Sequence, residues 1–123
     1  MTNDKLVWGY HLIVNAASCD IEAVKKPEYI AEFATALVEK INMVAFGDPI
    51  VVHFADHDEY KAGYTLIQLI ETSNINAHFV DINGDCYLDV FSCMWFDMDD
   101  VLAILSQYFN PKSVNYNFLT RQA

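Results

Sequence analysis

Four strand-like runs follow one another between residues 48 and 94, with too little chain between them for anything but turns. DPIVVHFAD (48–56), YTLIQLIETS (64–73), INAHFVD (75–81) and CYLDVFSCM (86–94) are rich in β-branched and aromatic residues. The first link, HDEYKAG, is a polar turn. The second is a break at Thr72-Ser73-Asn74, and the third contains Asn83-Gly84, the strongest short hairpin signal in the chain. Parallel neighbours need a crossover of about a dozen residues or more, so runs this close in sequence must pair antiparallel.

The flanking segments complete the pattern. LVWGYHLIVNA (6–16) reads as a strand. PEYIAEFATALVEKINMVA (27–45) places Ile30, Phe33, Leu37, Ile41 and Val44 at gaps of three and four, which is helical, and Pro27 suits the first turn. DMDDVLAILSQYF (97–109) is a second helix, capped by acids and stopped by Asn110-Pro111. SVNYNFLTRQ (113–122) alternates like a final strand. The order β-α-β-β-β-β-α-β predicts one α+β domain over residues 1–123, an antiparallel sheet with two helices on one face. The other face is left to cover, so at least a homodimer is expected.

Composition narrows the function. A net charge of −10 repels phosphate backbones and anionic membranes, so neither nucleic acid nor membrane is expected as a partner. The three cysteines, Cys19, Cys86 and Cys93, do not form a paired framework. MTNDKLVWGYHLIV lacks the pattern of a signal peptide, and no apolar run approaches the roughly 20 residues of a membrane span. A reducing cytoplasmic location is expected. His53, Asp56, His57, Asp58 and Glu59 cluster in sequence, but across a strand and a turn rather than a shared helix face, so no metal is predicted.

Strand parity sorts the reactive side chains. Thr65 and Ser73 share parity, which would let two hydroxyls face one side. Ser73 and His78 differ in parity, so a bulge or turn must intervene for them to meet, and Asn74 tolerates such geometry. On the next strand Tyr87, Asp89, Phe91 and Cys93 share one face, while Cys86, Leu88 and Val90 read as core.

Residues 63–93 resemble the processing segment of the short bacterial type of S-adenosylmethionine decarboxylase. In that family a hydroxyl residue stands eight positions before a cleavage serine, a histidine five after it and a cysteine twenty after it, within an Asp-x-Phe-x-Cys-like stretch. Thr65, Ser73, His78 and Asp89-Val90-Phe91-Ser92-Cys93 fall at those spacings. Gly9-Tyr10-His11-Leu12 and Cys19-Asp20 resemble a second family pattern. The resemblance implies a zymogen that cuts itself between Thr72 and Ser73 into chains 1–72 and 73–123. The Ser73 hydroxyl attacks the Thr72 carbonyl to form an ester, Thr65 supports the reacting carbonyl, and His78 takes the Ser73 α-proton so that the ester eliminates. It further implies a pyruvoyl cofactor derived from Ser73, a Schiff base with the substrate amine, loss of carbon dioxide, and Cys93 as the acid that reprotonates the α-carbon. The implied activity is a lyase of spermidine biosynthesis acting on S-adenosylmethionine.

The chain departs from the family at Thr72 (usually Glu, with Glu71 one place earlier), Asn74 (usually His), Asn15 (usually an acid) and Leu66 (usually Gly). Asn15, Glu71 and Asn74 from this set, and Phe91 as an aromatic that could stack on adenine, are the candidates for substrate contact. These changes leave Ser73, His78 and Cys93 in place and leave two other readings open. One is a pyruvoyl-dependent decarboxylase of ornithine or arginine; the other is an unprocessed homologue that binds and regulates a decarboxylase.

Overall fold

The computed structural model describes residues 7–123. Leu6, which the sequence assigns to the first strand, lies outside the described residues. The elements are β1 (Gly9–Ala17), α1 (Ile21–Val24), α2 (Pro27–Lys40), β2 (Ile50–Phe54), β3 (Gly63–Ile70), β4 (Ser73–Val80), β5 (Cys86–Ser92), α3 (Met98–Phe109) and β6 (Ser113–Arg121). The strands form one six-stranded antiparallel sheet in the order β2-β3-β4-β5-β1-β6. This is the predicted α+β architecture, with the short α1 added. Asp20 caps α1 by accepting the Glu22 N–H at 3.0 Å, a four-residue helix too brief for periodicity to reveal.

One face of the sheet carries the core. Leu12 and Val14, Leu66, Ile75 and Phe79, and Leu88 and Val90 point towards the helices and are buried. Phe33 of α2 and Phe109 of α3 pack edge-to-face with centroids 5.0 Å apart, and Phe109 lies 4.8 Å from Phe79. α2 ends at Lys40, five residues short of the predicted end, because Asn42 turns into the left-handed region (φ 58°). α3 begins at the Asp97 cap, and Asn110 closes it in the left-handed region. Gly63 opens β3 where a Cβ would lie 1.6 Å from the Phe79 carbonyl oxygen, so only glycine allows this close pairing with β4.

Among the described residues, no helix lies over the opposite face. Side chains there include Ile50 and Val52 of β2, Ile67 and Leu69 of β3, and His78 of β4; those four aliphatics are all more than two-fifths exposed. The turn between β3 and β4 is tighter than the sequence predicts. Ile70 pairs with Ser73, so the loop is only Glu71-Thr72, while Ser73 and Asn74 lie in the strand opposite Ser92 and Phe91. The register of the β3–β4 hairpin runs unbroken from Ile70↔Ser73 to Gly63↔Val80, with no bulge.

Candidate active site

At the turn end of the hairpin, the peptide expected to break is held from both sides. The Thr72 carbonyl accepts the Cys93 backbone N–H at 3.0 Å. The Thr72 hydroxyl accepts from Ser92 Oγ at 2.7 Å, and Ser92 Oγ accepts the Met94 N–H at 3.0 Å. Thr72 donates in turn to Met43 Sδ at 3.4 Å. Ser92 is fully buried, so this chain fixes the turn from inside the core. On the helix-free side Asn76 Nδ2 donates to Asn74 Oδ1, and Asn74 Nδ2 donates to Ser73 Oγ, each at 3.3 Å. The amide thereby occupies a lone pair of the serine and leaves its hydroxyl hydrogen free. Ser73 has φ 157°, at the border of a region that side-chain-bearing residues rarely adopt.

Cys93 follows β5 directly and is exposed, whereas Cys19 and Cys86 are buried. Burial, reinforced by Asp85 and Asp20, pushes the Cys19 thiol up to about 12. Burial also raises Cys86 well above its ordinary value. Neither supplies a proton or thiolate near neutral pH. Cys93 is the accessible thiol beside Ser73.

Thr65 and His78 meet each other but not Ser73. They sit opposite one another across the hairpin, and the Thr65 hydroxyl donates to His78 Nδ1 at 2.9 Å. His78 Nε2 donates to the Lys61 carbonyl at 2.7 Å, which fixes the ring as the Nε2–H tautomer. Five residues of regular strand separate Ser73 from His78, about 17 Å at ~3.3 Å per residue. The expected turn or bulge at Asn74 that would join them is absent, and Thr65 shares neither the end nor the face of Ser73. The alternation explains this: Ser73 has the parity of buried Ile75 and Ala77, while Thr65 and His78 belong to the open face.

A third group borders the Ser73 end, on the next strands over. His11 Nε2 donates to Asp89 Oδ1 at 2.9 Å, and His11 Nδ1 accepts from Arg121 at 3.4 Å. The Arg121 guanidinium lies over the Phe91 ring at 5.2 Å, and Trp8 is tilted against the same ring at 5.7 Å. Trp8, Phe91 and Arg121 line a cavity of about 370 Å³ with Gln122 and Ala123. The sequence reading sets Asp89 on one face with Phe91 and Cys93 but misses Ser92, Asn76 and Arg121 as neighbours of the site; their partners are set by the register and the turn rather than by any spacing in the chain. Asn15 donates to Asn115 at 3.1 Å, at the far end of β1 from Gly9, and Glu71 is exposed in the turn. A larger groove of about 900 Å³ lies over α2 and α3, on the opposite side of the molecule from the reactive side chains.

The fold is an antiparallel sheet with helices on one face, and at one hairpin turn Ser73 follows a carbonyl held by the Cys93 N–H. Residues 10–122 match the family model of S-adenosylmethionine decarboxylase, and the chain belongs to that family. The "S-adenosylmethionine decarboxylase proenzyme" of Clostridium botulinum (strain Langeland) is 25% identical over 114 residues, 92% of this chain and 93% of that protein. The protein of the same description from the Loch Maree strain is 25% identical over 100 residues, 80% of this chain and 81% of its own length. Among solved structures, the adenosylmethionine decarboxylase of Aquifex aeolicus superposes with a TM-score of 0.78 at 20% identity, covering 95% of this chain and 92% of that one. Among the described residues, no helix is long and apolar enough to cross a membrane.

Proposed function

We propose that this chain is a self-processing, pyruvoyl-dependent decarboxylase that cuts itself between Thr72 and Ser73 and acts on S-adenosylmethionine in spermidine synthesis. The observation that carries the reading is the Cys93 N–H on the Thr72 carbonyl, 3.0 Å away, at a turn whose next residue is a serine in uncommon backbone geometry. The Ser73 hydroxyl is adjacent in sequence to the carbonyl it must attack. The Cys93 N–H is placed to stabilise negative charge on the Thr72 oxygen as the tetrahedral centre forms. The residues around Ser73 suit a cofactor made from it, because Ser73 is only half-buried at the end of β4, beside the exposed Cys93 thiol. A pyruvoyl group there supplies a carbonyl electron sink for an amino acid losing carbon dioxide. The Cys93 Sγ–H would be the proton donor at that end, and Phe91 with Trp8 would offer an aromatic surface for the rest of the substrate.

His78 cannot serve Ser73 of its own chain across about 17 Å of strand. The reading therefore requires a homodimer in which the helix-free faces meet and His78 and Thr65 of one chain reach the backbone at Ser73 of the other, whose side chain has core-face parity. The exposed Ile50, Val52, Ile67 and Leu69 on that face support it. A cytoplasmic location is part of the same reading, in keeping with three cysteines that are all free thiols.

Ornithine or arginine is the second reading for the substrate. It is left open by Asn15, which bonds Asn115 where the resemblance places an acid. The deciding experiment is the intact mass of denatured protein, followed by turnover assays on the three amino acids. Two fragments, 1–72 and 73–123 with pyruvoyl on the second, support the reading, and Ser73→Ala must leave one uncut chain. A wild-type chain that stays whole overturns it in favour of a regulatory homologue.

A further inference from the structure

His53 lies outside the reactive groups described above, yet both of its ring nitrogens are engaged by carboxylates. Nδ1 contacts Asp56 Oδ1 at 2.5 Å and Nε2 contacts Asp81 Oδ2 at 2.6 Å. A neutral imidazole can donate from one nitrogen only, so two carboxylate partners favour the imidazolium. The Tyr64 ring packs edge-on against His53 at 4.9 Å. The charged groups acting on His53 are these two carboxylates, and the Asp81 hydrogen bond is the main reason its pKa stands above the ordinary value; desolvation opposes it and Asp56 adds to it. The other oxygen of Asp81 is buried with no partner among the described residues, so that carboxylate depends on His53.

The clamp pins both ends of the segment 55–62 that links β2 to β3. Asp56 begins it, and the Asp81 N–H donates to the Ala62 carbonyl at 2.9 Å at its close. Between them the segment is internally tied. Asp58 N–H donates to Ala55 O at 3.1 Å, and the Lys61 and Ala62 N–H groups both donate to Asp58 O at 2.9 Å. Ala55 is held at φ 61°, a left-handed conformation that disfavours a side chain. The His53–Asp56 contact closes around that residue and maintains it. At the far end of the tied segment, the Lys61 carbonyl accepts from His78 Nε2.

We propose that His53, bridging Asp56 and Asp81, is a positioning residue that sets the tautomer and orientation of His78 through the 55–62 segment and its Lys61 carbonyl. The functional meaning rests on the role given to His78 above; the structural coupling does not. When His53 loses its second proton, one carboxylate contact turns from attraction to repulsion. Asp56, three-quarters exposed, is the one that can swing into water. Ala55 then relaxes, the Lys61 carbonyl shifts, and His78 loses the acceptor that holds its Nε2 proton.

The test is an imidazole nitrogen spectrum of the full chain, labelled at its four histidines, as wild type, His53→Gln and Asp56→Asn. The wild type should show His78 as a single Nε2–H tautomer near neutral pH. Both variants should draw its two nitrogen shifts together, as an averaged tautomer does. In the wild type the same change should set in as His53 deprotonates, above about 6.5. Asp56→Asn keeps the readout available should His53→Gln fail to fold. His78 signals unchanged in a folded variant, or indifferent to the titration of His53, would overturn the coupling. Self-cleavage is measured in parallel, and its rate should fall by up to about 10²-fold in His53→Gln, the order expected when a reacting group is displaced by about an ångström. His78→Ala separates the two ideas: normal cleavage there sinks the role of His78, while the spectra still decide whether His53 positions it.

Discussion

A paired-variant experiment follows from the distance between the two halves of the site. Ser73→Ala removes the nucleophile but leaves His78 and Thr65 intact; His78→Ala removes the proton acceptor but leaves Ser73 and Cys93. Each variant alone should stay uncut or nearly so, since positioned acid–base groups are worth about 10²–10⁴-fold. Co-expressed in equal amounts, the chains assort at random, and about half of all dimers are mixed in a two-fold assembly. In each mixed dimer one site joins the Ser73 of the His78→Ala chain to the intact His78 of its partner. About half of the chains that carry Ser73 should therefore be cut, on the assumption of free two-fold assortment. The other site of the mixed dimer lacks both groups and is silent. The assay is denaturing mass spectrometry of the co-expressed pair, with native mass confirming mixed dimers. If mixed dimers form and no fragment appears, the two-chain site is wrong. Substantial cutting of His78→Ala alone would be equally fatal, because it would remove the need for His78.

Three further outcomes can be checked directly. Iodoacetamide on the native protein should label Cys93 and spare Cys19 and Cys86, since both buried thiols are pushed up in pKa; peptide mapping that finds Cys19 labelled first contradicts the packing. Phe109→Ala, which removes a fully buried ring in contact with Phe33 and Phe79, should cost about 3–5 kcal/mol of unfolding free energy by urea titration. The pH dependence of stability has a definite sign at His53. Its folded pKa is raised, so its contribution is complete below the unfolded value of about 6.5 and is lost as pH rises through the folded one. Urea midpoints measured upward from neutral pH should fall in the wild type and stay flatter in His53→Gln.

The order of strands and helices was legible because the hairpin signals and the periodicity agree. β5 is the clearest case: Leu88 and Val90 are buried, and Phe91 and Cys93 lie where alternation puts them. What escaped was local or long-range in character. The end of α2 depends on Asn42 adopting a left-handed turn, while the apolar spacing runs on through Val44. The β3–β4 turn looked wide because Thr72, Ser73 and Asn74 all suit turns, yet the register closes it at Glu71-Thr72. The spacing of five between Ser73 and His78 suggested proximity, whereas an unbroken strand converts five residues into separation. Ser92, Met43 and the Lys61 carbonyl enter through tertiary contact, with no pattern in the chain to mark them.

The separation also constrains how two chains can meet. For Ser73 of each chain to lie over His78 of the other, the two-fold axis must lie in the interface and cross β4 at right angles, midway between those residues. That midpoint falls beside Asn76, whose side chain lies on the helix-free face and donates to Asn74 Oδ1. Asn76→Lys would set two like charges against each other across the axis and strip the Asn74 amide of its partner. At about 4 Å and an effective dielectric constant near 20, such a pair repels by about 4 kcal/mol, roughly a thousandfold in association. Sedimentation of the variant should show monomer where the wild type is dimeric, and self-cleavage should fall with it. Asn76→Ser, small and neutral, should dimerise and process. A lysine variant that stays dimeric and cuts itself normally would move the axis away from Asn76, and with it the pairing of Ser73 to the partner's His78.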